Sequence, residues 1–376
     1  MTRVVKTLGA TIIVWTVSVA WAGGQAGPAQ KVPMAEEVFK NVQVLKGIPV
    51  DQFMGTMGFF SASLGLNCTD CHVDESGGNW AKYADDNALK RTARRMMTMV
   101  SGLNAANFGG RQVVTCNTCH RGTRRPNVMP SLALLYGTPP PDEPGEPFTQ
   151  APGQPSADQV LDKYVRALGG PQRLAALTSF SAKGTYKGFD DADTSVMEIV
   201  AKAPGLRTTI VHTLSGDSIS TFDGRAGWIA APETEKPVPL LAVTGQELDG
   251  LKLEAELFFP ARIKQALGKW RVGARLTIDD REVQPVQGTT AGGATATLCF
   301  DAESGLLVRL VRFSESPVGR IVTQVDYSDY RDVAGVKMPF HWIVSWLDGR
   351  SVFELTDVTS NVPVDAAKFA RPGVKQ

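Results

Sequence analysis

The sequence predicts a multi-domain α+β chain, with a mainly α N-terminal part and a C-terminal antiparallel β half-barrel with packed helices. Three observations predict it. Apolar residues recur at helical spacing up to about residue 103, a proline-rich run occupies residues 139 to 155, and from Phe180 the pattern changes to period two. At 376 residues the chain is long enough for two or three sizeable cores. A formal net charge of +1 argues against a nucleic-acid binder and against a polyacidic tail.

Residues 1–22 read as a signal peptide. Arg3 and Lys6 give a basic start, Leu8 to Ala20 is a mostly apolar run of thirteen residues, and Ala20-Trp21-Ala22 is a cleavage site of the A-x-A kind. Thirteen helical residues rise about 20 Å, short of the roughly 30 Å hydrocarbon core of a bilayer. The prediction is therefore export to the periplasm, with an uncleaved membrane anchor as the alternative.

Residues 31–137 follow as the helical part. Val38, Phe39, Val42, Val44 and Leu45 give a short helix-like pattern stopped by Gly47 and Pro49. Asp51 is placed to cap a helix running to about Leu64, which Gly65 ends. Phe53, Met57, Phe60 and Leu64 share one of its faces. Four residues past Leu64 comes Cys68-Thr-Asp-Cys71-His72. The same order then recurs. Asp85 and Asp86 offer a cap, and residues 88 to about 103 carry the stripe Leu89, Ala93, Met96, Val100 and Leu103. Gly102, Asn104 and Gly109-Gly110 break the pattern before Cys116-Asn-Thr-Cys119-His120. This is an internal duplication of helix, loop and motif.

Cys-x-x-Cys-His is the attachment motif of c-type haem. Its two sulfurs bond to the porphyrin, and the adjacent imidazole becomes an axial ligand of the iron. The two copies use four of the five cysteines and two of the four histidines. Cys68, Cys71, Cys116 and Cys119 are thus the expected covalent anchors of two haems c, with His72 and His120 as axial ligands. A sixth ligand is needed for electron transfer, and a soft thioether suits Fe(II). The candidates are Met57, eleven residues before Cys68, and Met96, twenty before Cys116. Met54, Met97 and Met99 compete. Residues 87 to 125 hold eight Lys and Arg and no Asp or Glu. Of these, Arg94 and Arg95, beside Met96, are the best partners for haem propionates. A solvated basic face, or docking of an acidic redox partner, would use the same residues.

Residues 34 to 130 resemble the cytochrome c subunit of bacterial photosynthetic reaction centres. The likeness lies in Phe53-Met-Gly-Thr-Met57 before the first motif. It lies also in Ala93-Arg94-Arg95-Met96-Met97-Thr98-Met99 and Val114 to Thr123 around the second. In that family a helix methionine upstream of the motif is the axial ligand, which implies Met57 and Met96 here. The resemblance implies donation of electrons to a membrane-bound reaction centre or another electron-transfer complex. Four-haem members carry two such pairs of motifs, and this chain carries one.

Residues 138–157 form the linker, with seven prolines between 139 and 155. Residues 158–376 form the β-rich part. A helix over Asp158–Leu168 stops at Gly169-Gly170. Strands are expected over Phe180–Tyr186, Met197–Lys202, Arg207–Thr213, Ser218–Asp223 and Gly227–Ala230. After a helix from Gly245 to Leu267, further strands are expected over Arg271–Ile278, Ala294–Phe300, Leu306–Phe313, Arg320–Tyr327, Met338–Trp346 and Ser351–Val358. This order, with the stretch Tyr330 to Pro339, is similar to periplasmic lipoprotein-carrier and lipoprotein-sorting proteins, whose half-open barrels shelter acyl chains. That likeness implies a hydrophobic ligand. Cys299, His212 and His341 fall in strands and read as structural. No nucleophile-base order, phosphate loop or dinucleotide glycine pattern appears. The leading function is single-electron transfer through two low-spin Met/His haems. A dihaem peroxidase, or a lipid carrier with an accessory cytochrome, are the alternatives.

Overall fold

The computed structural model describes residues 31–138, 148–189, 191–231 and 237–373. The signal-peptide expectation, part of the linker and the C-terminal tip lie outside the described residues. The described residues from Pro33 onward form one compact unit.

The N-terminal part is helical. It comprises α1 (Ala35–Val38), α2 (Val50–Leu64), α3 (Cys68–Cys71), α4 (Ala88–Phe108), α5 (Cys116–His120) and α6 (Leu132–Tyr136), with 3-10 turns at Asp74–Gly77 and Trp80–Ala84. α1 ends at Val38, so the apolar residues up to Leu45 lie in a loop, where Leu45 is buried. α2 ends as expected on Gly65, whose left-handed φ of 62° costs glycine nothing. Its N-cap is Pro49, not a capping Asp51. The Asp51 carboxylate instead accepts from Thr244 N at 2.6 Å and Thr244 Oγ1 at 2.8 Å, tying α2 to the sheet domain. The second helix is capped by Asn87, whose side chain accepts from Lys90 N at 2.9 Å, rather than by Asp85 or Asp86. It runs through Gly102 to Gly109, because one interior glycine costs only about 1 kcal/mol.

Helices α7 (Ala157–Ala167) and α8 (Pro171–Ala176) lead into strands β1 (Ser179–Lys187), β2 (Ser195–Lys202), β3 (Leu206–Thr213), β4 (Gly216–Phe222), β5 (Gly227–Ala230) and β6 (Leu240–Val243). After α9 (Gly245–Leu257) and α10 (Ile263–Ala266) come β7 (Gly268–Val272), β8 (Leu276–Ile278), β9 (Arg281–Thr289), β10 (Thr295–Asp301) and β11 (Leu307–Ser316). The chain closes with β12 (Gly319–Val333), β13 (Val336–Trp346) and β14 (Gly349–Ser360). They make one open antiparallel sheet in the order β6-β5-β4-β3-β2-β1-β14-β13-β12-β11-β10-β9-β7, with β8 paired to β9. Two meanders are thus joined where the first strand meets the last, Phe180 opposite Ser360.

Two expectations for this part are corrected, and two further strands are present. The helix expected from Gly245 to Leu267 breaks near Pro260, which supplies no backbone donor to the turn before it. The strand expected over Arg271–Ile278 divides into β7 and β8. β9 was not expected, because Pro285 and Gly288 interrupt its pattern; Val283 through Gly288 are nonetheless buried. Its buried amides are satisfied, Gln284 donating to the Gly273 carbonyl at 2.7 Å and Gln287 to Thr297 Oγ1 at 3.0 Å. β6, four residues long, was also missed.

The core lies between the sheet and its helices, where Leu161, Leu168, Phe180, Leu253, Leu298 and Phe300 are fully buried. α9 is also held by charge. Arg312 donates to Glu247 at 2.7 Å and to Glu254 at 3.0 Å, and Ser314 Oγ donates to Glu247 at 2.6 Å. Burial alone would raise the Glu247 carboxyl, but the Arg312 guanidinium and Ser314 hold it below the usual range.

The haem-motif part packs on the sheet through α2. A Cβ on Gly55 would stand 2.7 Å from Ile321 Cδ1, and one on Gly58 2.7 Å from Asp348 Oδ1. Gly319 in turn lies against the Phe59 ring. Gln112 Nε2 donates to the Ser316 carbonyl at 2.7 Å. Leu45, Phe59 and Val318 are buried at this junction, with Met57, Met97, Cys116 and Leu347 packed around them.

Two outcomes follow from these contacts. Gly65→Ala meets both the left-handed φ and the Gly122 carbonyl, so urea unfolding should show a loss of about 2 kcal/mol or more. Gly78→Ala, at φ −121° with nothing within 4 Å of its Cβ position, should stay within about 0.5 kcal/mol of the parent. A Glu247 pKa held below its ordinary value gives stability that is present above the unfolded pKa and lost as pH falls through the folded one. Glu247→Gln should therefore cost about 2–3 kcal/mol at neutral pH, with the deficit shrinking in acid titrations of the unfolding midpoint below about pH 4.5.

Candidate haem sites

Each motif forms one short helix: α3 begins just past the end of α2, and the turn after α5 rests on that same end. Asn67 caps α3, accepting from Asp70 N at 2.9 Å. Thr115 stands at the N-cap of α5, and its backbone N–H donates to Thr118 Oγ1 at 3.0 Å. The Gly122 N–H donates to the Ser63 carbonyl at 2.9 Å, and the Gly122 carbonyl lies over Gly65 with no room for a side chain. The second motif is thereby fastened to the helix that leads into the first.

The two histidines are posed alike. His72 Nδ1 lies 3.1 Å from the Tyr83 carbonyl oxygen, and His120 Nδ1 lies 3.0 Å from that of Thr123. A carbonyl oxygen only accepts, so Nδ1 carries the proton in both rings and Nε2 keeps its lone pair. That is the arrangement of a metal-binding imidazole whose second nitrogen is fixed by the chain. Burial, with help from the Lys90 charge, lowers the His72 pKa and favours the neutral ring. Tyr83 also packs on the His72 ring, centroids 4.8 Å apart.

Beside the first motif is a cavity of about 500 Å³. Cys68, Cys71, His72, Met57, Lys90 and Arg94 line it, among the apolar faces of Phe53, Phe60, Leu64 and Leu89. Its volume falls in the range of small-molecule and cofactor sites. Thiols, an imidazole with a free nitrogen, thioethers, an apolar wall and cations match the edges of a covalently attached haem with its two propionates. Met54 and Met97 also line the cavity, and Met96 does not. Arg94 is on the wall, with Nη1 donating to Asp86 at 2.6 Å. Arg95 is off it, donating to Thr92 Oγ1 at 3.1 Å.

The second motif divides its exposure as the first does, where Cys71 is half-buried and Cys68 exposed. Cys116 is half-buried and Cys119 exposed. On α4, which leads towards it, Met96, Met99 and Leu103 are exposed at 39%, 54% and 38%, spaced as one helical stripe. An apolar stripe of this width is a surface that a porphyrin face would cover. Met97, next to Met96 on α4, packs against the buried trio Leu45, Phe59 and Val318, as do Met57 and Cys116.

The structure therefore brings Met57, Cys68, Cys71, His72 and Arg94 to one cavity, and leaves Met96, Arg95, Cys116, Cys119 and His120 outside it. Sequence reasoning missed the carbonyls of Tyr83 and Thr123, which no side-chain pattern announces. In the C-terminal part, His212 Nδ1 is 2.7 Å from Asp217 and His341 Nδ1 is 2.8 Å from Ser328 Oγ. Cys299 is fully buried, its thiol pushed up to about 12. None of the three lies at the cavity.

Two Cys-x-x-Cys-His stretches with posed imidazoles are the residue set that c-type cytochromes use to hold covalently bound haem c. Residues 18–133 match the family described as the photosynthetic reaction centre cytochrome C subunit. The photosynthetic reaction center cytochrome c subunit of Thermochromatium tepidum is 41% identical over 111 residues, covering 27% of this chain and 24% of that protein. The subunit of the same name from Roseobacter denitrificans is 29% identical over 145 residues, covering 35% of this chain and 38% of its own. The chain thus spans about a quarter to two-fifths of the length of these relatives. A LolA superfamily protein from Nitrosomonas europaea superposes on 58% of this chain and 98% of its own, at 14% identity and a TM-score of 0.40. A putative outer membrane lipoprotein-sorting protein domain from Vibrio parahaemolyticus covers 56% and 94%, at 6% identity and a TM-score of 0.39.

Haem content gives a direct check. Mature protein made with a haem-attachment system should carry two irons and two haems c per chain by metal analysis and pyridine haemochrome. Replacing Cys68 and Cys71 with Ala, or Cys116 and Cys119, should remove one haem in each case. Zinc in place of iron would refute the assignment.

Proposed function

We propose that this chain is an exported, periplasmic dihaem c-type cytochrome that passes single electrons to and from a redox partner. Its dihaem domain spans 31–137, its linker 138–157 and its β-rich domain 158–376, after a signal peptide at 1–22. One haem is bound to Cys68 and Cys71 with His72 and Met57 as axial ligands, the other to Cys116 and Cys119 with His120 and Met96. The observation that carries this reading is the matched pose of the two imidazoles, each with Nδ1 on a backbone carbonyl and Nε2 free, directly after a cysteine pair.

When bound, the haem supplies a one-electron Fe(III)/Fe(II) couple, whose potential an axial thioether raises. The chain's residues fix the rings, exclude water and meet the propionates. Phe53, Phe60 and Leu64 dry the first site, Arg94 is the propionate partner there, and Arg95 is the corresponding cation for the second. Three thioethers at the first cavity, Met54, Met57 and Met97, favour a six-coordinate carrier over a peroxidase, which needs an open distal position. A shared zinc site would need about four converging ligands, and no group of three or more His, Cys, Asp or Glu converges among the described residues. The partner we propose is a membrane-bound reaction centre or another electron-transfer complex.

Spectroelectrochemical titration of the mature protein tests the ligands. Met57→Ala and Met96→Ala should each remove about half of the near-infrared Met–Fe(III) band and lower the potential of one haem. A Met97→Ala variant with that effect would move the second ligand by one residue. An unchanged band in all three would sink the Met/His assignment.

A further inference from the structure

We propose that residues 121–136, just past the second motif, are an interfacial anchor that lays this end of the cytochrome on an anionic phospholipid surface. This rests on the exported-cytochrome reading and adds to it the surface on which the second haem site stands. In this stretch Val128 is 90% exposed, Met129 79%, Leu132 70%, Leu134 77%, Leu135 65% and Tyr136 81%. Elsewhere among the described residues no comparable run of consecutive large apolar side chains faces solvent. Such a patch marks a surface that something covers.

Charge and shape choose the occupant. From residue 87 to residue 138 there are eight Lys and Arg and no Asp or Glu. Arg121, Arg124 and Arg125, at the start of the segment, form no ion pair among the described residues. Guanidinium groups beside exposed leucines suit phosphate headgroups above an acyl boundary. α6 also lacks a polar face. Leu132, Leu134, Leu135 and Tyr136 point around the whole turn, whereas a helix docked in a protein groove needs only one apolar side. Apolar groups all round a single turn fit partial immersion, with Tyr136 as an amphipathic ring at headgroup level. No helix among the described residues is long and apolar enough to cross a membrane, so the segment would lie in the surface.

Co-sedimentation of the haem-loaded full chain with vesicles tests this. Phosphatidylcholine containing phosphatidylglycerol should bind the protein, and phosphatidylcholine alone should bind it at least about tenfold more weakly. Leu132→Asp with Leu135→Asp, and separately Arg124→Gln with Arg125→Gln, should each weaken binding to the anionic vesicles about tenfold or more, with the visible spectrum unchanged. No binding by the parent chain overturns the proposal. So does binding that both double variants retain, which would place the anchor elsewhere, such as the N-terminal segment. A loss of the Met–Fe band in the leucine variant also overturns it, since the segment would then cover a haem instead of lipid. The absence of two c-type haems from the parent spectrum would defeat the cytochrome reading while leaving the vesicle result legible.

Discussion

The structure depends on how closely α2 can approach its neighbours. One face of this helix, Phe53, Met57, Phe60 and Leu64, walls the first cavity. The other carries Gly55 and Gly58, where a methyl group would collide with Ile321 and Asp348 of the sheet. Its last residue hands over to Gly65, which lies directly beneath the Gly122 carbonyl of the second motif. The Gly65–Gly122 approach is backbone on backbone and tolerates no side chain, and close-packed interiors transmit strain. A shift of α2 would therefore disturb the first cavity, the second motif and the junction with the sheet together.

The anchoring of the imidazoles shows the same economy. A histidine following a cysteine pair can reach an iron only if its ring is turned correctly, and here the turn is set by main-chain oxygens rather than by side chains. A backbone acceptor neither titrates nor changes rotamer, so the orientation of Nε2 is fixed by the fold of the loops at Tyr83 and Thr123. The sheet domain relies instead on charge at one place, where Arg312 bridges Glu247 and Glu254 beneath α9. Gly250 lies against that guanidinium because any larger residue would displace it.

Much of this was legible in the sequence. The motif residues declare themselves by chemistry, and most strands by alternation, because a half-buried strand must alternate. What stayed hidden depends on partners far along the chain. Asp51 looks like a helix cap and serves Thr244 instead, a contact spanning nearly two hundred residues. The glycines of α2 look like weak points in a helix and turn out to be its contact face with β12 and the β13–β14 turn. β9 escaped notice because Pro285 and Gly288 lower its propensity, while burial on both faces overrides that cost. Met97 competes with Met96 by sequence, and only the fold shows that it lines the first cavity together with Met57.

The pairing of β1 with β14 carries a consequence for how the molecule comes into being. Phe180 must wait for Ser360, so the two meanders cannot be joined until nearly the whole chain has been synthesised. Contacts of such long sequence range are slow to form. The helices bearing both cysteine pairs lie ahead of every strand of the sheet on which α2 packs. On the proposed reading, haem attachment would have a window in which the thiols are accessible and the surface that will later press on α2 does not yet exist.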